Sequence, residues 1–371
     1  MSLETAHYFG TGDLENARHV AELWRNLYPQ DGGPYATLAT IYDQLGQYDE
    51  SYAAVREALK RYPNPQFRRF LAYEAIQTNH FDEAEKTLAD AEAAQRAGEG
   101  SWDTLMTAYY SYKIAFLRHD ALAMDRIVQS APADSKFQHW LLFDRSQTEA
   151  YYGRVREARE LNRRAIHWAS DLHRVSDASL YGMVPQALWE ANFGNFAEAR
   201  HLAAEALSID SENGVKAAAG LAFARSGDFT QAAKLADGLA TKYPSDTLLK
   251  RRTVPMICAA IAIGRNHPSQ AVELLQDAVP IELGDPQVLY TRGEAFLAMR
   301  KGNEAAAEFQ KLIDHPYVLV EDPVGALARL GKARAHALSG DTQKASAEYE
   351  TFLTLWKDAD PDCPHLPASQ S

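Results

Sequence analysis

The sequence predicts an all-α chain, a solenoid of about ten stacked helix pairs, and three observations carry that expectation. A small residue recurs at near-regular spacing from end to end. Glycine and acidic residues punctuate the chain at fixed offsets from it. No alternating β period of comparable length competes. The small residue falls at Ala17, Ser51, Ala84, Ala158, Ala199, Ala232, Ala271, Ala305 and Ala345. The single step of 74 residues, from Ala84 to Ala158, hides one degenerate unit with Tyr112, His119, Met124 and Val128 in the equivalent places.

Each element follows from simple chemistry. Two helices packed antiparallel need a small side chain where their backbones come closest, and alanine supplies it while keeping high helix propensity. Glycine at Gly12, Gly46, Gly153, Gly194, Gly227 and Gly340 ends the first helix of a pair, where a left-handed residue suits a helix stop. Asp49-Glu50, Asp82-Glu83, Glu157 and Glu198 then open the second helix, their carboxylates favoured by the positive end of the helix dipole. Pro29, Pro63 and Pro244 stop it. Pro255 falls inside a predicted first helix, which should kink or start late there. The loosest joints are expected at Gly98–Ser101, Ser130–Asp134 and Pro280–Pro286.

A single solenoid over residues 1–356 is expected, with a flexible proline-containing tail over 357–371. Met1 falls inside the first helix, and no amphipathic helix follows Trp356 to cover the last apolar face. The expectation is therefore a segment or relative of something longer, or ends covered by self-association.

Composition excludes several classes of function. The formal net charge of −12 repels phosphate backbones, which disfavours nucleic acid as a partner. The apolar run from Val254 to Gly264 is about half of what a membrane-spanning helix needs, so membrane insertion is not expected. The N-terminal sequence lacks the basic start and apolar core of a signal peptide. Cys258 and Cys363 cannot build a disulfide framework. Scarce cysteine fits the cytoplasm, and equally a periplasmic array behind a membrane-anchored kinase.

The unit Tyr35-x-x-Leu38-Ala39-x-x-Tyr42, Gly46-x-Tyr48, Ser51-x-x-x-Val55-x-x-Ala58, Pro63 resembles the tetratricopeptide repeat, as do its echoes down the chain. The resemblance implies a right-handed α-α superhelix. The final third is similar to a narrower group. Ala271–Ala278, Glu282-Leu283-Gly284, Gly293–Ala298, Ala307–Lys311 and Phe352–Pro361 resemble the C-terminal tetratricopeptide regions of acidobacterial proteins. There the array commonly follows a serine/threonine protein kinase domain or a winged-helix DNA-binding domain. The likeness departs at Cys363-Pro364-His365-Leu366-Pro367, where a closing helix would stand.

The chain offers no kinase chemistry of its own. It has no glycine-rich loop, no V-A-I-K lysine, no H-R-D and no D-F-G; His173-Arg174 is followed by Val175, and Asp228-Phe229 by Thr230. The histidines form no H-E-x-x-H and no i, i+4 pair, and Cys363-x-His365 gives two ligands where a closed zinc site needs four. There is no G-x-S-x-G elbow, and the clustered carboxylates have a structural cause at helix starts. No catalytic residue, metal ligand or cofactor is expected.

In resembling arrays the first helix of each unit lines a concave groove that holds an extended peptide or a partner helix. Placing the inward positions unit by unit gives Gln66, Arg69 and Tyr73, then Tyr109 and Lys113, then Trp140, Phe143 and Gln147. Tyr181, Arg225, Tyr290, Glu294 and Arg334 continue the lining. Aromatic and arginine side chains are the usual interface anchors, although a Tyr or Trp at helical spacing more often packs between repeats than meets a ligand. The stretch from Arg69 to Tyr181 is the densest in bulky aromatics. The clamp that holds a chaperone's C-terminal carboxylate is missing, with Tyr73 at the relevant place after Arg69.

The expected function is a non-catalytic scaffold that binds a protein or peptide as a sensory or regulatory module, its partner a kinase or transcription-regulator domain. A receptor for a small molecule or signal peptide and a self-assembly module are the alternatives.

Overall fold

The structure is a computed structural model and describes residues 2–63, 65–98, 104–131, 138–361 and 363. Among them there is no strand, and antiparallel helix pairs follow one another along the chain. The expected joints at Gly98–Ser101 and Ser130–Asp134 fall largely outside the described residues. The chain gathers into two compact units. The first takes residues 1–135 with the short segments 243–248 and 280–285, and the second takes 136–242, 249–279 and 286–371.

The first unit stacks four pairs: α1 (Ser2–Gly10) with α2 (Leu14–Leu27), α3 (Gly32–Gln44) with α4 (Tyr48–Arg61), α5 (Pro65–Gln77) with α6 (Phe81–Arg96), and α7 (Thr104–Leu117) with α8 (Ala121–Ser130). Its two inserted segments pack on helix turns. Thr247 donates its N–H to the Gly12 carbonyl at 2.9 Å, and its hydroxyl accepts the Leu14 N–H at 3.1 Å. Tyr48 donates its hydroxyl to the Leu283 carbonyl at 3.2 Å, and a Cβ on Gly46 would run into the Gly284 backbone. The stretch from Pro280, expected to be loose, is therefore held against the α3–α4 turn, with Ile281 buried.

The second unit holds six pairs: α9 (Gln138–Tyr151) with α10 (Val155–Asp171), α12 (Val184–Asn192) with α13 (Phe196–Ile209), α14 (Asn213–Arg225) with α15 (Phe229–Lys242), α16 (Val254–Gly264) with α17 (Pro268–Leu274), α18 (Pro286–Ala298) with α19 (Gly302–Asp314), and α21 (Val324–Leu338) with α22 (Thr342–Leu355). The short helices α11 (Val175–Asp177) and α20 (Pro316–Leu319) sit in the connections. Two stretches are wound as π-helix, Ala178–Met183 and Leu249–Thr253. Each runs into a proline in the first turn of the next helix, Pro185 in α12 and Pro255 in α16. Proline lacks an N–H and its ring displaces the carbonyl four residues back, so a widened turn ahead of it relieves the clash. Pro255 thus delays α16, as its position predicts.

The small-residue landmark explains the pairing. Ala17, Ser51, Ala84, Ala158, Ala199, Ala232, Ala271 and Ala305 are completely buried, and Met124 and Ala345 nearly so. Ser51 replaces alanine without leaving a buried hydroxyl unsatisfied, because it donates to the Ala39 carbonyl at 2.8 Å. Ser146 does the same to Ala158 at 2.8 Å.

Within the second unit, the last pair, α21 and α22, packs back on that unit's own first pair, α9 and α10. α21 lies against α9, where a Cβ on Gly325 would already stand 3.0 Å from the Tyr151 ring. Trp356, just past α22, is buried with its Nε1–H donated to the Tyr151 carbonyl at 2.9 Å. Its ring meets Phe193 edge-on at 5.8 Å and Phe352 at 4.7 Å. Asp360 donates its N–H to the Gly153 carbonyl at 3.0 Å and accepts the Arg156 N–H at 2.7 Å, in the first turn of α10. The apolar face expected to be bare after Trp356 is therefore covered by the α9–α10 turn. Ala359 and Asp360 belong to this contact, and Cys363 is buried with its N–H donated to the Asp360 carbonyl at 3.0 Å; residue 362 and the residues after 363 lie outside the described ones.

All six glycines expected to stop a first helix adopt positive φ, between 71° at Gly46 and 87° at Gly227. Elsewhere the same turn is made by Asn79, His119, Asn266 and Arg300, with φ from 56° to 63°. A side chain there costs about 1–2 kcal/mol relative to glycine. Arg300→Gly is expected to stabilise the protein by about 1 kcal/mol, and Gly227→Ala, where a Cβ would meet nothing, to destabilise it by a similar amount. Chemical denaturation of the two variants against wild type measures both signs.

Candidate binding surface

The candidate residues separate by unit and by burial. In the first unit, Arg69 is exposed on α5 and Tyr73 is half-buried one turn further on, its ring 6.5 Å from Phe70. Tyr109 and Lys113 lie one turn apart on α7, with the ammonium 4.6 Å above the ring. The Gln66 side chain lies outside the described residues. Behind Tyr73, Glu74 is fully buried beside Asp43; burial pushes both carboxyls up, and their mutual repulsion raises Glu74 further.

In the second unit two groups form. One gathers around Tyr290. Arg225 reaches from α14 to Asn192 Oδ1 on α12 and, at 2.9 Å, to Thr291 Oγ1 on α18, with its guanidinium 5.1 Å over the Tyr290 ring. Tyr290 itself is buried edge-on against Phe309. Burial raises the Glu294 carboxyl, with the charges of Arg225 and the exposed Arg334 opposing. Arg225 thus ties three helices of the unit together through neutral partners.

The other group gathers around Asp177. Its Oδ2 accepts three donors: His139 Nε2 at 2.8 Å, Trp140 Nε1 at 3.0 Å and Arg174 Nε at 2.6 Å. Burial alone would raise this carboxyl, but the hydrogen bonds from His139 and Trp140 and the Arg174 charge carry it below its usual range. The anchored Trp140 lies between Arg174, 5.5 Å over its ring, and Tyr181, 6.0 Å away. Tyr181 stands on the π-helical stretch before Pro185 and is 50% exposed. Leu172, Val175 and Leu180 from the same connection are also solvent-exposed. Phe143 faces inward, buried against His139 at 5.9 Å and filling the space that a Cβ on Gly182 would need. Gln147 is half-buried on the same helix.

Tryptophan, tyrosine and arginine thus meet at one partly exposed place, the residue types that dominate binding energy when a partner covers them. The sequence offered Trp140 and Tyr181 but not the residues that hold them. His139, Arg174 and Asp177 carry no periodic signal, and only the turn after α10 brings them together.

In the first unit, α4, α5 and α6 border a cleft of about 720 Å³. Leu59, Leu71, Ala93, Ala94 and Ala97 supply apolar lining, and Arg68, Lys86, Glu83 and Asp90 supply charge of both signs. Among the described residues no group of three or more His, Cys, Asp or Glu is placed to hold a metal, and no helix is long and apolar enough to cross a membrane.

Models of the tetratricopeptide repeat match residues 33–65 and 290–362, so the chain carries such repeats at its second helix pair and across its last two. No curated protein matches the sequence. Among solved structures, yeast Tom70 is similar over 95% of this chain and 90% of its own, at 13% identity and a TM-score of 0.38. The human IFIT1 dimer with m7Gppp-AAAA is similar over 85% of this chain and 75% of its own, at 14% and 0.45. The P58(IPK) TPR domain is similar over 92% of this chain and 97% of its own, at 16% and 0.28. At scores this low, none of them places a site or a partner on this chain.

His139 gives the surface a pH dependence. Its side chain is buried, its Nδ1 has no hydrogen-bond partner among the described residues, and burial lowers its pKa from 6.5 despite Asp177. Below 6.5 the unfolded chain takes up a proton that the folded chain resists. The stability is therefore full above that pH and is lost as pH falls through the depressed folded value. His139→Gln, which keeps a donor for Asp177, is expected to flatten the acid limb of a plot of melting temperature against pH.

Proposed function

We propose that this chain is a non-catalytic scaffold that binds a protein or peptide, and that Trp140, Arg174 and Tyr181 anchor the partner. The observation that carries the reading is the half-exposed Tyr181 beside a tryptophan whose indole is fixed by Asp177. A ring pre-set in this way loses little conformational entropy on binding, so most of the area it buries counts toward affinity. Arg69, Tyr73, Tyr109 and Lys113 in the first unit, and Glu294 and Arg334 in the second, are the further contacts of this reading. Tetratricopeptide repeats at 33–65 and 290–362 support an interaction role. The resemblance of the final third to arrays that follow kinase and winged-helix domains supports a sensory or regulatory one, in the cytoplasm, with such a domain as the partner.

A photo-crosslinking residue at position 181 tests the reading, with the same residue at position 122, where Leu122 is also exposed, as control. The expected result is a crosslinked species specific to position 181 and lost when Trp140→Ala is added. Equal labelling at both positions would remove the patch from the function.

The cleft of about 720 Å³ favours a second reading, a receptor for a small molecule, since ligand pockets commonly span ~300–1,000 Å³. In a thermal-shift screen a true ligand raises the melting temperature of wild type and leaves that of Ala94→Trp, which fills the cleft, unchanged.

A further inference from the structure

The covering of α21 and α22 is made by residues far apart in the chain, and nothing in its chemistry requires both halves to come from one molecule. The receiving half is the α9–α10 turn, with the Tyr151 and Gly153 carbonyls and the Arg156 N–H, together with the Phe193 ring at the end of α12. The donated half is Trp356 with Asp360. Gly153, at φ 75°, leaves the space the indole fills, and a Cβ there would stand 2.9 Å from it. The fit is specific, with two carbonyls and one N–H answered by three complementary groups.

A second observation lies in the connection that leads into α21. Val320, in the connection between α19 and α21, has φ 46° and ψ −117°. A β-branched residue at positive φ is a strained outlier. It is held there by its N–H bond to the Pro316 carbonyl at 2.7 Å and by burial of its own and the Leu319 side chain. The strain sits at the connection that would swing if α21, α22 and the segment to Cys363 left their own unit.

We propose that this protein exchanges its last helix pair with a second copy of itself. In the exchanged dimer, α21 and α22 of each chain pack on α18, α19 and α9 of the other, and Trp356 and Asp360 seat on the other's α9–α10 turn. Every contact of the closed monomer is kept except the hinge, which opens and relaxes Val320 to extended backbone. Strained short hinges are the setting in which such exchange occurs. In the monomer the two halves are held at high effective concentration, so the closed form dominates when the protein is dilute. The exchange uses a surface apart from the Trp140–Tyr181 patch and does not rest on the binding role proposed for it.

Full-length protein is concentrated, warmed below its unfolding transition, cooled, and resolved by sedimentation. Wild type is expected to yield dimer in proportion to concentration, and Val320→Gly, which removes the strain without touching the interface, to have an association constant at least about tenfold lower. Mixing then asks for complementation. Trp356→Ala spoils the donated half and Gly153→Ala the receiving half; the mixture is expected to form a 1:1 heterodimer, which regains one intact closure, in excess of either homodimer. Should Trp356→Ala lose helicity, Trp356→Phe, which loses only the indole donor and part of the ring, takes its place. A wild type that stays monomeric throughout, a Val320→Gly that dimerises as wild type does, or a mixture without heterodimer enrichment would each overturn the proposal.

Discussion

Two helices can lie antiparallel at close range only where one of them presents almost no side chain at the point of contact, and this structure meets that condition in pair after pair. Ala17, Ala84, Ala158, Ala199, Ala232, Ala271 and Ala305 are fully buried at those points. Larger side chains can then interdigitate on either side, and the second helix can present its remaining apolar face to the next pair. Ser51 shows how narrow the requirement is: a hydroxyl is tolerated because a carbonyl of the facing helix accepts its proton. Met124 shows where it relaxes, in the pair whose repeat signal is weakest in the sequence.

The fold was legible because its determinants are local. A small residue, a glycine at positive φ and an acidic first turn all sit within one repeat, and each works through backbone geometry or the helix dipole. The same signals show where the code is degenerate. Asn79, His119, Asn266 and Arg300 perform the glycine's turn at some conformational cost, so a search for glycine alone misses them. Contacts between distant residues left no such mark. Trp356 sat in the sequence as the last residue of the array, with no sign that Tyr151 and Phe193 would enclose it. The segment after Pro280 looked like a joint, because a proline pair says nothing about what packs on it.

The candidate surface was half visible for the same reason. Helical spacing selects residues on one face of a helix, and it selected Trp140 and Tyr181 together with Phe143 and Tyr290, which are buried. Periodicity cannot separate a ring that packs from a ring that waits, because both recur with the turn of the helix. The difference is made by neighbours outside the repeat. Asp177 fixes the half-buried Trp140 indole by accepting its N–H, and the π-helical stretch ahead of Pro185 carries Tyr181 to the surface. Both lie in the connection after α10, which the repeat pattern skips.

The packing of the last pair of the second unit on its first has a consequence for how that unit comes apart. In an open array each pair has neighbours on one or both sides, the outermost pairs are held least, and unfolding creeps inward from them. Here α21 touches α18 and α19 on one side and α9 on the other, so no pair of the unit is outermost. Local opening must break two interfaces at once wherever it begins, and the six pairs lose the gradient of protection that marks an open stack. Such a unit should fray little at its ends, and its closure is complete only once the chain from Gln138 to Asp360 has been made, since that contact joins residues about two hundred positions apart.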